Sequence, residues 1–295
     1  MSSIKNIAIG LLCTLCFTQC QKVIEIEIPD HKKRNVVNVI ITADSALGGY
    51  LYETVSVLSN DSFKPIENAS MQVFDANNNQ IAYQLLSPNG AYFSSALAVE
   101  NTCYNFKFSS SYGNSQGIAC IPARPRVLNV DTSVSSQLGD TVLRLKIRIK
   151  DSVGYNNYYR FTCIANEAIS IRPRAGGFDT VWKWVNKTIT NNNIGLFVNE
   201  YNYASNAFLL KDDLLDGQIF EVDFSIGIKA QRAKQVIFRV DAIEESIFKY
   251  YRTLTAQQFF STDPNAHYIN VFSNVSNGYG IVGGQNRFQF VYATY

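Results

Sequence analysis

The chain has 295 residues, 46% of them hydrophobic and 17% charged, with a net charge of +2. That is the composition of a globular protein with enough apolar material for one large or two medium cores. So small a charge gives no electrostatic case for nucleic acid as a partner. The 17 Tyr and 19 Phe, with abundant Val, Ile and Thr, are strand formers, so a mainly β fold is expected.

Residues 1–19 read as an export signal. Lys5 supplies a thin positive start, and the apolar run Ile7 to Phe17 follows. That run is too short to cross a bilayer, which takes about 20 residues, and has the form of a removable signal. Residues 20–34, "CQKVIEIEIPDHKKR", form a tether: a cysteine, an alternation of Ile24, Ile26 and Ile28 with Glu25 and Glu27, then a break at Pro29.

Residues 35–122 read as a β-sandwich of immunoglobulin-like build. "VVNVIIT" is a buried-strand run and "YLYETVSVLS" alternates. Asp75 to Asn79 is a turn cluster between two apolar runs, and Asn89-Gly90 is a strong turn dipeptide. Cys103 and Cys120 flank a hairpin whose turn lies near Ser111–Gly113, so equal arms put them opposite each other. A cross-strand disulfide and two buried free thiols are both compatible with that placement.

"IPARPRVLNV", with two prolines, marks a boundary, and residues 123–295 are expected to form a larger β-rich domain with at least one packed helix. In "TVLRLKIRIK", Leu143, Leu145, Ile147 and Ile149 face one way. Arg144, Lys146, Arg148 and Lys150 face the other, a basic face that could meet anionic lipid or an acidic partner but is better read as a solvated sheet face paired with acids on a neighbouring strand. Cys163 reads as a small core residue. The helix is expected to start with Asp241 as N-cap and Glu244 three residues on. Ile243, Ile247, Tyr251 and Leu254 would then make its apolar stripe.

Several patterns invite a chemical reading. Gly278, Gly280 and Gly283 spell G-x-G-x-x-G, but too little chain follows for a helix, a strand and an acidic residue. A glycine-rich turn between two late strands is expected there. Asp212, Asp213 and Asp216 are weak calcium candidates, since their spacing is not that of an EF-hand loop. An acidic turn accounts for them better, and neither a metal nor a cofactor is expected. Trp182 and Trp184 fall on one face of a strand and offer either a ligand platform or core. His31 lies in a solvated linker and His267 in a turn. With no nucleophile elbow, zinc-binding or Walker motif, no catalytic residues are assigned and a non-enzymatic protein is expected.

At Cys20 the sequence resembles a family. "CQKVIEIEIPDHKKRNVVNVIIT" is similar to the mature start of the domain-of-unknown-function 4249 family of Bacteroidota outer-membrane lipoproteins. "VSVLSNDSFKPIENASMQVFD", "NGAYFSS", "NNYYRF", "LKDDLLDGQ" and "SNVSNGYGIVGG" match in order. Gln19 departs from the small residue usual before the lipid-bearing cysteine. The resemblance implies lipidation at Cys20 and an outer-membrane location, with both faces of that membrane open. It also implies no established enzymatic activity. A non-catalytic accessory or binding subunit of a TonB-dependent receptor system follows by inference. The alternatives are a structural or adhesive envelope lipoprotein and, third, a hydrolase built on scattered carboxylates.

Overall fold

Alternating apolar residues, rather than long helical stripes, organise this protein. The computed structural model describes residues 32–56, 62–66, 68–85, 89–137, 140–154, 156–174, 177–193, 204–228, 233–260 and 269–293. The chain divides into two units, Met1–Lys32 and Lys33–Tyr295, and the architecture below belongs to the second. The expected signal, Cys20 and the tether as far as His31 lie outside the described residues, as does His267.

The first strands are β1 (Asn35–Thr42), β2 (Ala46–Glu53), β3 (Ser70–Phe74), β4 (Gln80–Leu85), β5 (Ala91–Leu97), β6 (Cys103–Ser110) and β7 (Gly113–Cys120). After the prolines come β8 (Arg126–Gln137), β9 (Asp140–Lys150), β10 (Tyr158–Arg174), β11 (Gly177–Asn186) and β12 (Ile189–Asn191). Next are β13 (Ala204–Ser205), β14 (Ala207–Lys211), β15 (Ile219–Ile228), β16 (Ala233–Ile243), the helix α1 (Glu245–Phe260) and β17 (Gly278–Ala293).

They form three sheets. The central one has eight strands in the order β11-β10-β16-β17-β1-β2-β5, with β14 also paired to β10. The others are β13-β12-β15-β9-β8 and β4-β3-β6-β7. The last strand, β17, runs parallel to the first, from Asn35↔Gly278 to Thr42↔Gln285, and antiparallel to β16. It therefore joins the two halves of the chain into one sheet.

Side-chain alternation decides what each face covers. Val37, Val39 and Ile41 of β1 and Val282 of β17 pack with Met71, Val73, Phe106 and Phe108 of the four-stranded sheet. Phe161 of β10, Phe238 and Val240 of β16, and Phe288 and Phe290 of β17 pack with Leu145, Ile147 and Phe224 of the five-stranded sheet. Val282, Phe288 and Phe290 share one parity on β17, so both small sheets cover the same face. The opposite parity, Ile40, Tyr158, Ile243 and Ile281, meets Ile247 and Phe248 of α1. The helix thus lies on the other face. The four-stranded and five-stranded sheets thus cover separate cores on one face of the central sheet, and β17 contributes to both, with Val282 in the first and Phe288 and Phe290 in the second. Phe161, Phe224 and Phe238 sit 5.4–6.5 Å apart by ring centroid, and each fully buried ring contributes about 1.5–3 kcal/mol.

Two expectations are corrected. The helix starts at Glu245, not after Asp241, because Asp241 and Ile243 continue the β16 ladder against Arg287 and Gln285. The buried face of α1 therefore begins at Ile247 and Phe248. Gly278, Gly280 and Gly283 do not form a turn between strands; they lie inside β17. Gly280 has φ +109°, and a Cβ there would sit 1.9 Å from the Val37 carbonyl oxygen. The glycine is needed for close approach of β1 and β17.

Candidate functional site

The central sheet's outer face, the one carrying α1, holds an unusual set of charges. Arg160, Asp241 and Arg287 stand side by side on β10, β16 and β17. The next row is Thr162, Arg239 and Gln289, and the row after that Ile164, Ile237 and Val291. Asp241 has 0% exposure and accepts two bonds from Arg287, Nε to Oδ1 at 2.6 Å and Nη2 to Oδ2 at 3.1 Å. Such a bidentate fork is the strongest way to hold a buried carboxylate. Arg160 reaches the same carboxylate only at 3.9 Å, and its guanidinium lies over the Tyr251 ring of α1, 4.4 Å from the centroid.

Arg239 is the anomaly. Among the described residues no carboxylate pairs with it, and the Nε–H groups of Arg160 and Arg239 are buried without an acceptor. Burial pushes the Arg239 guanidinium below its ordinary range, and the charges of Arg287 and Arg160 add to that, against the opposing pull of Asp241 two residues on. Three guanidinium charges against one carboxylate leave an excess of two.

The tryptophans share this face. Trp184 of β11 is paired with Asn166 of β10, and Trp182 with Ala168. Trp184 is 48% exposed, and Lys234 Nζ lies 4.1 Å from the Trp182 ring centroid. The pair is therefore a surface feature rather than core. Asn166 and Arg160 are six residues apart on β10, so the indoles and arginines stand about 20 Å apart along the strands.

The acidic turn does not gather as a cation site. Asp212 is buried and accepts the Asn157 amide at 2.9 Å, Asp213 pairs with Lys211 at 2.5 Å, and Asp216 accepts the Gly154 amide at 2.7 Å. Burial, together with nearby Asp151, holds the Asp212 carboxyl above its ordinary range despite the Asn157 bonds. Among the described residues no group of three His, Cys, Asp or Glu is placed to hold a metal. On β9, Arg144 pairs with Asp223 of β15, and Lys146 lies 3.8 Å from Glu221. Burial pushes the Asp223 carboxyl up, but Arg144 and Asn192 outweigh it and hold it below its ordinary range.

Cys103 and Cys120 face each other at the open end of the β6–β7 hairpin and are joined as a disulfide. Glu244 fastens this hairpin to the central sheet, its Oε2 accepting the amides of Cys120 and Gly284 at 3.1 Å each. It lines a cleft of about 280 Å³ with Tyr158 and Glu245, but its carboxylate is committed to those backbone bonds. Cys163 is buried, and burial raises its thiol to about 12.

The arginine cluster escaped motif reading because its members come from strands far apart in the chain. The available signal was local: "VIFRVDAI" places Arg239 and Asp241 on alternate positions of an otherwise apolar strand.

The chain matches the model of the family described as "Domain of unknown function (DUF4249)" over residues 21–290. No curated protein matches it. A solved structure titled "Biofilm associated protein - BSP domain" aligns at 6% identity and TM-score 0.16, covering 89% of this chain and 59% of that one. The chain thus spans less than two thirds of that protein's length.

Proposed function

The chain belongs to the DUF4249 family, and from that membership we propose that it is a non-catalytic binding subunit of a TonB-dependent receptor system, held at the outer membrane by lipid on Cys20. The observation that supports binding is the outer face of the central sheet. It presents exposed Trp184 at one end and three arginines around a single aspartate at the other. Aromatic faces and guanidinium forks are the side chains most used for recognition. The cysteine following an apolar leader supports the anchor. The test is purification of the full chain, Cys20 intact, from detergent-solubilised membranes. Recovery of an outer-membrane barrel with it is expected, and recovery of none counts against the receptor role.

A structural or adhesive role is the second reading. It is favoured by Phe93 and Leu97, both more than half exposed on β5 at the edge of the central sheet. Edge strands can accept a strand from another chain. Normal barrel recovery by a Phe93→Lys variant that no longer supports cell–cell adhesion would favour this reading.

A further inference from the structure

We propose that Arg160, Arg239 and Arg287 form an oxyanion-binding site, taking a carboxylate, phosphate or sulfate group of the ligand. The inference rests on the reading of the outer face as a binding surface and names the chemistry that surface accepts.

A purely structural ion-pair network needs about one carboxylate per half-buried guanidinium, because an uncompensated buried charge is costly. Asp241 neutralises Arg287 through the fork and leaves its weaker side to Arg160. Among the described residues Arg239 has no such bond, and of the carboxylates only the distant pull of the same Asp241 charge acts on it. Its neighbours across the sheet are Thr162 and Gln289, both uncharged, and the next row is apolar. The strands thus bring three fixed cations together and supply a counter-charge for one.

The geometry suits an oxyanion. Arg160 and Arg287 keep 21% and 28% of their side chains exposed, so an external group can reach them. Tyr251 lies against the Arg160 guanidinium and limits its freedom. Guanidinium groups offer planar pairs of donors that match two oxygens of a carboxylate, phosphate or sulfate. Asp241 fixes the cluster's orientation without cancelling its charge. A divalent cation is disfavoured at the same place, since two net positive charges would repel it.

The test is calorimetric titration of the folded chain with sodium phosphate, sulfate and acetate in turn, each at ionic strength matched by chloride. The proteins are wild type, Arg239→Gln, Arg160→Gln and the control Arg148→Gln. Arg148 is an exposed residue of β9, in another sheet. At least one oxyanion is expected to bind wild type and control alike, and to bind Arg239→Gln about tenfold more weakly or worse. Near-ultraviolet dichroism checks that each variant is folded, and Arg239→Gln carries the test if Arg160→Gln is not. Acetate binding points to a carboxylate ligand; binding of phosphate or sulfate points to a phosphorylated or sulfated one. No oxyanion binding above chloride, or equal binding by wild type and Arg239→Gln, overturns the proposal. The titration involves no receptor, so its failure and failure of barrel recovery are read separately.

Discussion

Replacing Arg287 by Met removes both hydrogen bonds that hold the Asp241 carboxylate, at 2.6 and 3.1 Å, while keeping most of the side chain's apolar bulk. Asp241 is fully buried, so it cannot turn to water. Stripping a buried charge of its partner costs about 3–5 kcal/mol. Arg160 already lies 3.9 Å away and can close on the carboxylate, which puts the expected loss near the lower end, at about 3 kcal/mol. Arg239→Met should behave in the opposite sense. It removes a guanidinium whose charged form burial, Arg287 and Arg160 disfavour more than Asp241 favours it, so stability should stay within about 0.5 kcal/mol of wild type or rise. Adding Asp241→Asn to Arg287→Met should recover part of the loss, because the orphaned charge is gone. Urea unfolding with a common slope reads all four proteins. The reasoning is refuted if Arg287→Met unfolds at the wild-type midpoint, or if Arg239→Met loses as much as Arg287→Met.

Opening the Cys103–Cys120 link by substituting both residues with Ser should cost about 3 kcal/mol on the loop-entropy argument for a separation of 17 residues, measured by thermal unfolding with and without reductant. Gly280→Ala should destabilise by about 2 kcal/mol or more, because the new Cβ meets the Val37 carbonyl and φ is +109°; an unchanged melting temperature would contradict the close approach of β1 and β17. Burial holds the Glu244 carboxyl above its ordinary value of 4.5, despite the Cys120 and Gly284 amides. The folded state therefore keeps that proton longer than the unfolded chain, and the group's contribution falls as pH rises from the unfolded value through the folded one. Glu244→Gln should remove that part of the slope of melting temperature against pH on the alkaline side of the ordinary carboxyl value. Cys20→Ser should leave the membrane fraction, and the mass of the wild-type mature N-terminus should show acyl chains on Cys20.

The legible parts of this chain were the local ones. The β9 alternation, the equal-armed Cys103–Cys120 hairpin and the turn at Asp75 are written within a few residues, and pattern reading finds them. The helix boundary was misread because Asp241 and Glu244 have capping-box spacing. Tertiary pairing overrides it, since Asp241 faces Arg287 across a strand. The β1–β17 ladder joins the two ends of the described chain, and no local period encodes such a pairing. The same holds for the arginine row, whose members come from three strands. Trp182 and Trp184 are legible as a pair on one face, but their exposure depends on what covers the sheet, which no local period encodes.

The most direct test of the working surface is barrel recovery by three full-length chains from detergent-solubilised membranes: wild type, Arg239→Gln with Trp184→Ala, and Arg148→Gln. The account predicts that wild type and Arg148→Gln bring down the same outer-membrane barrel in the presence of its cargo, and that the double variant, folded and still anchored, recovers much less. Equal recovery by all three, or none by wild type, would contradict it.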